Sequence, residues 1–386
     1  MDFDIVIVGA GLVGASFATA MRGAGLKLAL VEAQATEVPK DDWESRVYAL
    51  SPGSAAFLQS LGVWKRLDQS RITAVREMRV FGDADGAQLR FSAYEAGVAE
   101  LAAIVESRSL QSVLWQALEH QHNLELLCPD RCATLQLGEH AAELALESGR
   151  SLRAKLVIAA DGVHSWARQA AGIETQKKSY GQMGVVANFA CARQHHDTAY
   201  QWFRSDGVLA YLPLPGQRMS IVWSTADAHA EELVALNAQA FASVVAEAGK
   251  NTLGELESLS VAKQFPLTHL RAARLVAQRI ALIGDAGHVL HPLAGQGVNL
   301  GFGDARELAR VLMEREAFRD PGEIQLLRRY ERARAEDILA LTVVTDGLQR
   351  LFTVPGGAAS KLRNAGLNLT NALPILKNLL IRRALG

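Results

Sequence analysis

The chain has 386 residues, enough for two or three domains and a large buried core. Its 40 Lys and Arg against 41 Asp and Glu leave a formal charge of −1, which removes any global case for nucleic-acid binding. Three cysteines, Cys128, Cys132 and Cys191, are too few and too odd for a disulfide framework, and with His120 and His122 they complete no metal-ligand spacing, so no metal is expected.

Residues 5–21 are mostly apolar, but Asp2 and Asp4 stand where a signal peptide would be basic, and three glycines interrupt the run. No run of about 18 apolar residues reads as a membrane span, and the expectation is a cytoplasmic protein.

Phe3–Val8 reads as a buried strand, followed at once by Gly9-Ala10-Gly11-Leu12-Val13-Gly14 and a helix. In this context each glycine has a task. Gly9 makes the tight turn, Gly11 admits a pyrophosphate to the backbone beside Leu12 and Val13, and Gly14 lets helix and strand pack closely. A second strand, 26–31, ends in Glu32, placed to accept from ribose hydroxyls; an acid there favours FAD or NAD over a 2′-phosphorylated cofactor.

In the segment 45–51, Arg46 is either a planar donor to the pyrophosphate or a solvated surface arginine. Residues 73–94 alternate and read as a hairpin of a separate sheet. A helix enters at 104–118, with Arg108 at its start as a second candidate phosphate or flavin contact. Strands follow at 124–137 and 141–146. The small-residue strand at 156–160 then ends in Asp161-Gly162, either a ribose or pyrophosphate contact or a plain turn.

Residues 179–264 should form a second sheet with strands at 184–191, 199–203, 208–212 and 218–224, and a helix at 231–248. Met183, Phe189, Trp202, Tyr211, Leu214 and Trp223 are candidates for an apolar substrate wall or for sheet core.

The stretch 280–303 organises the rest. An apolar strand runs into Gly284-Asp285, then a turn-rich loop with Pro292, Gly295, Gln296 and Gly297, then a helix from about Val298-Asn299. Asp285 can accept from the hydroxyls of a sugar-like chain. The glycines let backbone N–H groups approach a flat ring, and the helix dipole can stabilise negative charge on it by about 0.3–2 kcal/mol. A reduced flavin is the ligand that needs all of these together. His288 and His291 lie in this loop, as buried histidines held by backbone partners or, for His291, facing the flavin.

These three motifs, in this order, resemble the group A flavoprotein monooxygenases with a para-hydroxybenzoate hydroxylase-like fold. The segments 46–51, 104–108, 284–288 and 291–301, with 366–369 and 382–386 in the tail, are similar to one branch, the ubiquinone-biosynthesis aromatic-ring hydroxylases. Gly287 departs from the alanine expected there. The resemblance implies an α/β fold: a Rossmann-like FAD-binding domain (1–72, 96–178, 269–345), a mixed β-sheet substrate domain (73–95, 179–268) and a basic, apolar helical tail (346–386). It implies FAD contacts at Gly9, Gly11, Gly14, Glu32, Arg46, Arg108, Asp161 and Asp285, with the 295–299 loop along the isoalloxazine.

The implied activity is hydroxylation of the ring of a polyprenylated phenol or quinol with O2, through a C4a-hydroperoxyflavin. With no second G-x-G-x-x-G, the electron donor is a transiently bound NAD(P)H or a ferredoxin-type protein. No catalytic base is identifiable. From Arg350 to Gly386 the chain carries six basic residues and no acid, so the tail suits an anionic inner-membrane surface, a partner of the same pathway, or docking on the domain itself. The alternatives are a flavin hydroxylase of another aromatic substrate and a non-catalytic flavin-binding subunit.

Overall fold

The computed structural model describes residues 1–35, 42–83, 86–291 and 296–353, with side chains described as far as Val343. Pro292, Gly295 and the tail beyond residue 353 therefore lie outside the described residues. In chain order, the elements that build the site are β1 (Phe3–Val8), α1 (Leu12–Ala20), β2 (Leu28–Val31), β3 (Val47–Leu50), β4 (Ala102–Glu106), α2 (Ser107–Glu119) and β5 (Ser151–Ala159). They continue with β6 (Thr175–Cys191), β7 (Lys263–Ala272), β8 (Ile280–Leu282), α3 (Gly297–Met313) and α4 (Ile324–Thr353).

β8, β5, β1, β2 and Leu124–Leu127 pair side by side in that order, all parallel. Their sequences are unbroken apolar runs because a parallel sheet is covered on both faces. On one face Ile5, Ile7, Leu28 and Ile158 meet Phe17 of α1, Leu114 of α2 and Leu308 of α3. On the other, Val6, Val157 and Leu282 meet Leu144 of an antiparallel extension, which pairs with Leu152 at the start of β5. The expected strand 124–137 is two strands, Leu124–Leu127 in the parallel sheet and Cys132–Leu137 in the extension; Pro129 between them has no N–H for a ladder.

The second sheet is mixed. From β7 it runs through β6, Arg218–Ala226, Gly207–Leu214, Thr198–Arg204, Glu77–Phe81 and Gln88–Ser92, all antiparallel except the pair of Thr198–Arg204 with Glu77–Phe81. β6 and β7 are continuous strands that pass through residues 178 and 268, where the expected boundaries fall. One face is covered by helices Asp227–Ala235 and Ala238–Ala248. The single helix expected over 231–248 is broken because Asn237 caps the second one, its Oδ1 accepting from Ala240 N–H at 2.9 Å.

A third, small sheet, β3–β4–Thr73–Val75, sits between the two. Thr73–Val75 was expected in the hairpin, and it leaves that sheet to pair with β4 instead. No helix among the described residues is long and apolar enough to cross a membrane.

Candidate cofactor cleft and ring site

The glycine loop closes between β1 and α1. Gly9 has φ +100°, and a Cβ on it would lie 2.5 Å from Ala160 O at the end of β5. At Gly14 a Cβ would fall 2.1 Å from Gly9 O. Gly11 is different: its Cβ would meet nothing within 4 Å, and no side chain caps the helix that follows it. Here the loop faces open space with the first N–H groups of α1 directed outward, the arrangement a phosphate needs. Glu32 Oε2 accepts from Ala10 N–H at 2.6 Å, tying the loop to the end of β2. From the far side Gln111 donates to Ala10 O at 2.6 Å. Gln111 was not singled out in the sequence; its one signal is that it follows Arg108 by one helical turn.

Arg46 is exposed and stacks on Tyr48, 5.6 Å from the ring centroid. The backbone before it is fixed by a carboxylate network. Glu106, only 4% exposed, accepts from Arg71 at 2.7 and 3.0 Å and from Glu44 N–H at 2.7 Å. Glu44 accepts in turn from the Arg108 N–H at 2.5 Å; burial raises its pKa against that hydrogen bond. The Arg108 guanidinium pairs with Asp42 at 3.3 Å.

Asp161 spends Oδ2 on Ala167 N–H at 2.9 Å, while its Oδ1 is buried without a hydrogen-bond partner. Burial raises its pKa, opposed by hydrogen bonds from the helix start. Arg168 donates to Ala286 O at 2.8 Å, joining the Asp161 segment to the turn that carries Asp285.

That turn, Gly284–Ala286, leaves β8 with Gly284 at φ +61°. Val13 wedges between it and α3: a Cβ on Gly284 would come 3.1 Å from Val13, and one on Gly301 would come 2.6 Å from it. Asp285 opens onto the cleft, yet the protein crowded around it strips away bulk hydration and raises its carboxyl pKa. His288 and Arg46 oppose that rise and Asp304 adds to it. α3 begins at Gly297 with no side-chain cap on its N-terminal amides, and Gln296 and Val298 are half-buried there. Asn299 Oδ1 accepts from Ser51 N–H and its Nδ2 donates to Ala49 O, both at 2.9 Å.

The six substrate candidates do not share a surface. Trp202, Tyr211 and Trp223 point to the helix-covered face of the second sheet, where they pack with Phe189, Phe241 and Val245; Met183 lies half-buried against the same cluster. Of the two readings open in the sequence, sheet core holds for these residues and the substrate wall is corrected, because with period 2 a strand cannot present them to the cleft as well. Leu214 is on the opposite face, against Ile104 and Val75. His291 is 3% exposed, with Nε2 3.1 Å from Gln182 Oε1 and its ring edge-on to Tyr180 at 4.7 Å. His288 is also buried, but its partner is the Asp304 carboxylate at 2.6 Å and not backbone.

The face opposite the helices carries Val186, Val222 and Ala210, which align across three strands. It leans over β3: Leu212 and Leu214 pack with Val47 and Ala49, and Asn188 donates to Glu44 O at 2.9 Å. The cleft thus offers an open glycine cradle, two uncapped helix starts and the exposed acid Asp285, and the buried Asp161 Oδ1 past the end of β5 lacks a partner. Those groups fit an extended dinucleotide ending in a flat ring.

Such a fold and cleft define a flavin-dependent oxidoreductase. The chain matches the FAD binding domain family (FAD_binding_3) over residues 2–343 and belongs to that family, as an FAD-dependent monooxygenase. It is 33% identical to the 3-demethoxyubiquinol 3-hydroxylase of Escherichia coli (strain K12), over 99% of this chain and 98% of that one. It is 33% identical to the human mitochondrial ubiquinone biosynthesis monooxygenase COQ6, over 97% of this chain and 91% of that one. The structure of PqsL from Pseudomonas aeruginosa, a probable FAD-dependent monooxygenase, superposes with a TM-score of 0.78 at 25% identity, covering 95% of this chain and 100% of that one.

Proposed function

We propose that this monooxygenase hydroxylates the aromatic ring of a polyprenylated phenol or quinol intermediate in ubiquinone biosynthesis. The observation that carries the reading is similarity over nearly the whole chain to two enzymes named for that pathway.

In this reading Gly9, Gly11, Leu12, Val13 and Gly14 hold the FAD pyrophosphate at the start of α1, with Glu32 on the adenosine ribose and Arg46 and Arg108 supplying positive charge. Asp161 and Asp285 accept from hydroxyls of the cofactor. The amides from Gln296 to Asn299 would meet the negative edge of the ring. Bound FAD, reduced by NAD(P)H or a ferredoxin-type protein, supplies the activation of O2. The chain's part is to bind, orient and dry. The apolar row Val186–Val222–Ala210 receives the substrate ring, and His291 with Gln182 gives that pocket a polar edge. Water is kept out because the second sheet closes over β3. The basic, apolar tail binds the anionic membrane surface where a polyprenyl substrate resides, or another protein of the pathway.

The test is to delete the gene and profile quinone intermediates. Accumulation of one ring-unhydroxylated polyprenylated precursor, restored by the wild-type chain, is the expected result. An unchanged quinone profile would overturn the reading.

A further inference from the structure

Asp304 is a carboxylate with no exposure to solvent, on the second turn of α3. Its Oδ2 accepts from the Gly284 N–H at 2.9 Å and lies 2.6 Å from His288 Nε2. Its Oδ1 accepts from Arg334 Nε of α4 at 2.8 Å. Arg334 also reaches Leu300 O at 3.2 Å and pairs with Asp337. The neighbour Gly303 makes room for it: a Cβ there would stand 2.7 Å from Arg334 Nη2. One buried charge therefore joins the turn that presents Asp285, the strand residue His288, the cofactor helix and α4. Leaving such a charge half-paired is costly, so the four segments must keep one arrangement.

We propose that Asp304 is a positioning residue for FAD: through the Gly284 N–H it sets where Asp285 stands, and its charge, balanced by Arg334 and His288, sets the field Asp285 feels. This rests on the reading that Asp285 contacts FAD. The groups facing Asp285 are His288 three residues further on, Arg46 and Asp304 from α3, with Arg334 and Asp337 of α4 behind Asp304.

Asn at 304 cannot replace the acid. However it turns, its NH2 faces one of the donors Gly284 N–H, His288 or Arg334. FAD titration of apoprotein, read by flavin fluorescence, should show Asp304→Asn binding about tenfold weaker or worse at pH 7. Loss of a negative neighbour lowers the pKa of Asp285, so the acid-side loss of FAD binding should also move to lower pH; mere loosening would weaken binding equally at every pH. Gly303→Ala changes no charge and favours the helix, yet crowds Arg334 off Asp304. It should weaken FAD binding in a folded protein, and Gly303→Ala with Arg334→Lys should recover part of it. Asp285→Ala is the control. If it leaves FAD affinity unchanged, the Asp285 contact is wrong. If it weakens binding while Asp304→Asn and Gly303→Ala do not, the positioning role alone is overturned.

Discussion

Asn299 and Ser51 stand 248 positions apart in the chain, and the Ser51 N–H meets the Asn299 Oδ1 at 2.9 Å. The other end of the same amide donates to Ala49 O at 2.9 Å, so one side chain holds β3 against the start of α3. An amide is needed because the two partners have opposite character: an N–H that must donate and a C=O that must accept. Asn299→Asp keeps the first bond but sets a carboxylate oxygen against Ala49 O. It should cost about 1–3 kcal/mol of stability and weaken FAD binding as much as Asn299→Ala does. Urea denaturation and FAD titration measure the two effects; an Asp variant indistinguishable from wild type in both would show the bridge to be incidental.

Gly11 and Gly14 belong to one motif but should fail in different ways. A Cβ at Gly14 would strike the Gly9 carbonyl oxygen at 2.1 Å, backbone against backbone, so Gly14→Ala should misfold or melt far below wild type even without cofactor. At Gly11 a Cβ meets nothing in the apoprotein. Gly11→Ala should then leave the apo Tm within a few degrees of wild type while FAD affinity drops at least tenfold, because the methyl occupies the place of the pyrophosphate. Calorimetry of the apoproteins beside FAD titration separates the cases.

The motifs were readable in the sequence for a physical reason. Gly9, Gly14 and Asp161 answer to backbone geometry within a few residues of a strand end, and such constraints leave local patterns. Asp304 and Arg334 left none, since their pairing spans 30 positions and needs α4 docked. The same holds for the Glu44 contact with Arg108, 64 positions away. In the second sheet, alternation told which residues share a face but not which face the helices cover. The large aromatics therefore stay open between substrate wall and sheet core in the sequence, and the helices packed on Trp202, Tyr211 and Trp223 decide for core. The break at Asn237 was a capping residue passed over inside an otherwise apolar helical pattern.

Asp285 gives a pH dependence whose sign follows from its raised pKa. A carboxyl whose folded pKa lies above its unfolded value stabilises the fold most below the unfolded pKa. That contribution is lost as pH rises through the folded one. Keeping this carboxyl ionised in the folded apoprotein therefore costs stability. Asp285→Asn should raise the apo Tm at pH 7, and the advantage should vanish below about pH 4, where wild-type Asp285 is protonated as well. The same variant should bind FAD more weakly, since an amide accepts less strongly than a carboxylate. A lower apo Tm at pH 7 would contradict the direction of the shift.

The two faces of the second sheet should separate stability from turnover. Tyr211 is 2% exposed, and its hydroxyl donates to Val245 O in the covering helix at 2.5 Å. Tyr211→Phe removes that bond, while Val245 O keeps the Gly249 N–H at 3.0 Å, and should cost about 1 kcal/mol, with turnover per folded enzyme unchanged. Val222 pairs with Val186 and Ala210 on the cleft face and is only half-buried. A larger side chain there points away from the helix side, because it lies on the opposite face of the strand. Val222→Phe should shift Tm by only a few degrees while raising KM for a prenylated phenol about tenfold, the loss expected when a ring's seat is filled. Steady-state kinetics and thermal melts of both variants decide it. If Val222→Phe keeps wild-type kinetics and Tyr211→Phe loses them, the substrate ring lies on the other side of the sheet and the assignment of the cleft face is reversed.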